Sequence, residues 1–251
     1  MKMRFSLAAI LLTLLSGGWS KEVKQSKTSS ITKRLYGTTL KQDQVINYNS
    51  DGTPQTVSWV VAGNQYVQTF SYVEGRISYV ITNGSIKTEQ GEYLIENGRV
   101  VSLDWTHFDD RQISENNYVE KFLYNEKGLL QKHSFNKSWS EYHYDNDGDL
   151  TTVAHFNENG RATTKVEYTY TGIKDLFPSL GYFKTGASGF FLPAFSKHLP
   201  ATRKVTKLST GQVTRKGVFA YELDSEGYLV KGKWDGSAGE DTDYEWRNRF
   251  Q

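Results

Sequence analysis

Along most of this chain apolar and polar residues alternate with a period of two. Val57, Trp59 and Val61 alternate with Ser58 and Val60, and Tyr66, Gln68, Phe70 and Tyr72 follow. Val101, Leu103, Trp105 and His107 share a face. In the cleanest case Ala162, Thr164, Val166, Tyr168 and Tyr170 stand against Thr163, Lys165, Glu167 and Thr169. Such alternation predicts antiparallel strands with one wet face. From residue 42 onward the pattern gives roughly 13–15 strands. No stretch after the leader keeps helical periodicity over three turns.

The strands are separated by copies of one turn. Tyr144-Asp145-Asn146-Asp147-Gly148-Asp149-Leu150 has the spacing of Tyr124 to Leu130, Tyr48 to Pro54, Phe156 to Ala162 and Leu223 to Leu229. Leu94 to Val100 keeps Gly98, and Tyr72 to Gly75 is a shortened form. The aspartates at 145, 147 and 149 resemble the start of a calcium loop. With Gly148 at its sixth position, however, His143 and Ala154 would occupy ligand positions 1 and 12. An Asx residue folding onto its own backbone, followed by a left-handed glycine, explains all the copies as hairpin turns. Asn83-Gly84 is a further two-residue hairpin signal. "NGS" at 83–85 and "NKS" at 136–138 also read as turns. The glycines lack a fixed spacing, which argues against a strict solenoid.

Residues 171–202 break the alternation. They hold three of the four prolines and, between Leu176 and Phe195, nine large apolar residues, among them Phe177, Phe190, Phe191 and Phe195. Such a segment should pack on the sheet and cover its apolar end or face, with a short helix at 174–183. Its junction with the aromatic strands is the expected place for a ligand. The tail "DYEWRNRF" is an expected edge strand. The fold class is therefore all-β: a single antiparallel meander of many hairpins, curled or barrel-like, with one Pro/Gly-rich apolar capping segment.

Composition narrows the class further. Met1 to Ser20 has the charged start, the 11-residue apolar run "FSLAAILLTLL" and the small residues of a secretory signal; the run is too short to span a bilayer. Residues 21–40 read as a flexible lead-in and 41–251 as the meander domain. Without Lys2 and Arg4 the formal charge falls from +2 to zero, unlike the basic footprint of a nucleic-acid binder. There is no cysteine, so disulfides, thiol catalysis and thiolate metal sites are excluded. "LSGG" at 15–18 lacks the cysteine a lipid anchor would need.

The "Y-[ND]-x-x-G-x-L" turns, the stretch "FSKHLPATRKVTKL" at 195–208 and the closing "YELDSEGYLVKGKW" at 221–234 carry a resemblance. Together they resemble a family of secreted Bacteroides-type proteins, usually predicted lipoproteins, with a domain of unknown function described as porin-like. The turns are also similar, more loosely, to the YD repeats of Rhs-type proteins. The likeness spans roughly 40–250. It implies an extended antiparallel meander curling toward a barrel, and it carries no catalytic residues over.

No phosphate loop, dinucleotide fingerprint or nucleophile elbow is present. A hairpin turning near Ser138 would set His133 opposite His143, with Glu141 nearby as a third metal ligand. A half-exposed cross-strand pair is the simpler reading, and neither metal nor cofactor is expected. Core packing is the first use of the aromatics. The alternative is a groove formed by Trp59, Trp105, Trp139, Trp234, Phe190 and Phe191, stacking on a glycan or receiving another envelope protein. The expected protein is a secreted or periplasmic cell-envelope protein that does not span the membrane, a non-catalytic binding or scaffold domain. The alternative is a secreted glycan hydrolase with a carboxylate dyad.

Overall fold

A computed structural model of the chain describes residues 28–35, 41–51, 53–61, 63–108, 114–175, 191–192, 195–227, 229–236 and 244–250. The expected helix at 174–183 falls largely outside them; Lys174 itself ends a strand.

Among the described residues sixteen strands follow one another in chain order. They are β1 (Thr28–Leu35), β2 (Lys41–Tyr48), β3 (Pro54–Val61), β4 (Asn64–Val73), β5 (Arg76–Asn83), β6 (Ile86–Glu96), β7 (Arg99–Phe108) and β8 (Ser114–Tyr124). The second half comprises β9 (Leu130–Phe135), β10 (Ser138–Tyr144), β11 (Leu150–Phe156), β12 (Ala162–Lys174), β13 (His198–Lys207), β14 (Gln212–Leu223), β15 (Leu229–Gly236) and β16 (Tyr244–Phe250). Each pairs antiparallel with its sequence neighbours, and β1 pairs with β16 to close the ring. Two expectations change here. Thr28–Leu35, taken as part of a flexible lead-in, supplies a strand, and the tail strand β16 is paired on both sides rather than lying at an edge. Closure removes the unpaired backbone that an open meander would present.

The repeated turn has one geometry. In four copies the amide of the second residue donates to the carbonyl of the sixth, as Asp145 does to Asp149 and Asn125 to Leu129. The Asx side chain holds the same loop: Asp145 Oδ1 accepts from the Gly148 and Asp149 amides, both at 2.9 Å. Gly148 has φ = 91°, a conformation glycine adopts without cost. Asp145 is thus occupied by its own backbone and Asp147 is exposed, so the stretch turns a corner. At Asn83-Gly84 the two-residue loop is Gly84-Ser85, one position later than expected, because Asn83 pairs with Ile86.

The first and last positions of the turn also have a common use. Tyrosines near the ends of β4, β8, β10, β12 and β14 each donate a hydroxyl to the carbonyl of one of the first three residues of the preceding strand. The pairs are Tyr72 to Pro54, Tyr124 to Val100, Tyr144 to Leu130, Tyr170 to Leu150 and Tyr221 to Pro200, at 2.5–2.9 Å. Consecutive hairpins are joined by these bonds at one end of the barrel. Burial holds the hydroxyls of Tyr72, Tyr124, Tyr144 and Tyr170 protonated, well above the usual phenol range.

The inner face forms one core from Ile46 and Val57 round to Phe219 and Trp234. The described part of the 171–202 segment, Phe191 and Phe195 above all, packs over the barrel's tyrosine-lined end. Phe191 packs among Phe70, Tyr72 and Tyr93 (5.1–6.3 Å between ring centroids), and Phe195 stacks on Tyr142. Asp149 fastens this cap, accepting from the backbone amides of Lys197 and His198 and pairing with His198 Nδ1 at 2.7 Å. Ser196 Oγ accepts from the Leu150 amide and donates to the Tyr170 hydroxyl. The outer face is polar. Arg76 pairs with Glu92, Lys231 with Glu222, and both Lys165 and Lys204 with Glu167. Val119, Leu123 and Val218 are exposed on the same face.

Candidate functional site

Away from the cap, antiparallel register arranges the inner wall of β4–β9 in rungs. Gln68, Ile81, Glu89 and His107 form one. Phe70, Tyr79, Gly91, Trp105 and Tyr118 form the next. Gly91 is required there: a Cβ would overlap the Tyr79 ring, whose hydroxyl reaches Glu89 Oε1 at 2.7 Å. One rung deeper, Glu120 accepts from Trp105 Nε1 at 3.0 Å and hydrogen-bonds His133 Nε2 at 2.7 Å. Burial raises the Glu89 carboxyl above the usual range; the Tyr79 hydroxyl and His107 oppose this, and the nearby Glu120 adds to it.

Beside these rungs, at the end remote from the cap, the β9–β10 and β11–β12 turns frame a cavity of about 360 Å³. Phe135, Trp139 and Phe156 form its apolar wall, with Trp139 and Phe156 stacked at 5.1 Å. His133, Ser140 and His155 lie side by side by register, and Ser140 Oγ is hydrogen-bonded to His155 Nδ1 at 2.7 Å. Burial, with the positive charge of Arg203 adding to it, holds the His155 ring below the usual imidazole range, hence neutral at pH 7. A Ser–His contact alone lacks an acidic orienter, so it defines a polar lining rather than a triad.

The six aromatics expected to share a groove are dispersed, which corrects that expectation. Trp234 is core, 1% exposed, lying over Gly217 and Gly236. Trp59 stacks on Tyr66 and Trp105 on Tyr118 at separate places on the inner wall. Trp139 lies on the outer side of β10, its ring under Lys132 Nζ and its Nε1 donating to Glu141. Phe191 is in the cap, and Phe190 falls outside the described residues. The expected ligand site beside the capping segment is filled by Phe191 and Phe195, and the cavity lies at the other end. His133 faces Ser140, not His143: the turn is Asn136-Lys137, two residues earlier than expected, and His143 points outward. Among the described residues no group of three or more potential ligands could hold a metal.

The fold is similar to that of two porin-like proteins from Bacteroides. A porin-like protein of Bacteroides uniformis matches with a TM-score of 0.61 at 14% identity, over 90% of this chain and 97% of its own. One from Bacteroides vulgatus gives 0.57 at 12% identity, over 88% and 97%. No protein-family model and no curated protein matches the chain.

Proposed function

We propose that this chain is a secreted binding protein of the bacterial cell envelope, non-catalytic and not membrane-spanning. One observation carries the reading: the barrel has an apolar core with a few inward polar groups, a charged outer face, a cap at one end and a cavity at the other. A membrane barrel needs an apolar outer band, and an Arg or Lys at mid-membrane costs about 2–4 kcal/mol, an Asp or Glu less. Glu167 and Lys204 occupy the middle of their strands on that face. The signal-like leader supports export, and the porin-like neighbours are compatible with an envelope location.

Two measurements test the proposal. The chain lacking residues 1–20 should purify folded without detergent; a strict detergent requirement would overturn the soluble reading. It should also leave glycan substrates unchanged. A second reading, a glycan hydrolase, draws on the inward carboxylates Glu89 and Glu120 beside Trp105, with Glu89 raised as a general acid requires. Turnover lost in both Glu89→Gln and Glu120→Gln would favour that reading instead.

A further inference from the structure

We propose that the cavity between the β9–β10 and β11–β12 turns takes a neutral hexose unit of a glycan. This deepens the binding reading above and rests on it. The cavity lies within the roughly 300–1,000 Å³ usual for small ligands. No lysine, arginine, aspartate or glutamate lines it. Burial holds the His155 ring below the usual imidazole range, His133 is paired with Glu120 at 2.7 Å, and the nearby Lys132 lies over the Trp139 ring, so the lining itself offers an ionic ligand no unpaired charge.

The lining offers both kinds of hydrogen-bonding group. Ser138 and Thr163 spend their protons on the carbonyls of Phe135 and His155, leaving oxygen lone pairs to accept. Asn157 holds the β11–β12 turn through Oδ1, accepting from the Asn159 and Arg161 amides, which leaves its NH₂ to donate. A sugar hydroxyl both donates and accepts, and the apolar face of a hexose suits the wall of Phe135, Trp139 and Phe156. An alkyl chain would desolvate the polar groups without replacing their bonds.

The test is calorimetric titration of the leaderless protein, with Trp fluorescence as a second signal. The probes are cellobiose, maltose and N,N′-diacetylchitobiose, set against 3′-sialyllactose and decanoate. At least one neutral disaccharide should bind saturably. Asn157→Asp keeps the turn acceptor but removes the NH₂ donor, and Ser140→Ala removes a hydroxyl from the wall. Each should weaken binding about tenfold or more; Asn157→Asp should leave the melting temperature unchanged, while Ser140→Ala, which also loses the bond to His155, should lower it by about 2–4 °C. Failure of all three neutral probes at about 10 mM, preference for sialyllactose or decanoate, or affinity untouched by both variants overturns the inference. Those outcomes leave a folded, detergent-free protein in hand. Detergent dependence would instead overturn the reading on which the inference rests.

Discussion

The hydroxyl of Tyr144 does two things at once: it satisfies the Leu130 carbonyl and it joins one hairpin to the one before. Tyr144→Phe keeps the ring and its packing but leaves that carbonyl short of a donor at the barrel end. The expected cost is about 1 kcal/mol, a fall of roughly 2–4 °C in melting temperature. Gly148→Val acts through the backbone and should cost roughly 1–3 kcal/mol, because a β-branched residue would be held at φ = 91°. Asp147→Ala, at an exposed turn position, should change little. Scanning calorimetry on the three variants checks this order. A calcium-dependent rise in melting temperature that Asp147→Ala abolished would contradict the turn reading.

Elements differ in how far they could be read from the sequence. Strands with one apolar face and the Asx-Gly turns were legible, because alternation and left-handed glycine are local signals. β1 was not: "TSSITKRL" has only Ile31 and Leu35 as large apolar positions, and its place comes from pairing with β2 and β16 rather than from burial visible in its own pattern. The cavity was illegible for a related reason. It depends on register, and Asn136, at φ = 51°, starts the β9–β10 turn two residues before Ser138, which puts Ser140 rather than His143 beside His133. Asp149 left a signal that could have been used. It is the one acid at the position after glycine among the full copies of the turn, and it is spent on the cap. Burial alone would raise its carboxyl. Hydrogen bonds from the His198 ring and from the His198 and Lys197 amides outweigh that and hold it below the usual aspartate range. A depressed folded value means that its stabilisation is complete above the unfolded value of about 4 and is lost as the pH falls through the folded one. Asp149→Ala should cost about 2–4 kcal/mol at pH 7 and expose Lys197 to trypsin. Its deficit against the wild type should shrink below pH 4, as thermal melts across pH would show.

At the scale of the whole molecule, every described strand pairs only with its sequence neighbours apart from the closing pair of β1 with β16. In that contact Ser29 lies opposite Phe250, so the beginning of the first strand sits beside the end of the last. The order of strands is therefore cyclic: nothing in the pairing singles out where the chain should start. A circular permutant follows from this. Joining Phe250 to Thr28 with a short flexible linker and opening the chain at Gly84-Ser85 keeps every strand pair and leaves both the cap and the cavity intact. It should give the same circular dichroism and a melting temperature within a few degrees of the parent, since new termini at exposed turns are the ones proteins tolerate. Opening the chain inside β12 instead should abolish folding, because that strand pairs along its length with both β11 and β13. If the two permutants behaved alike, the ring would not be the unit that folds.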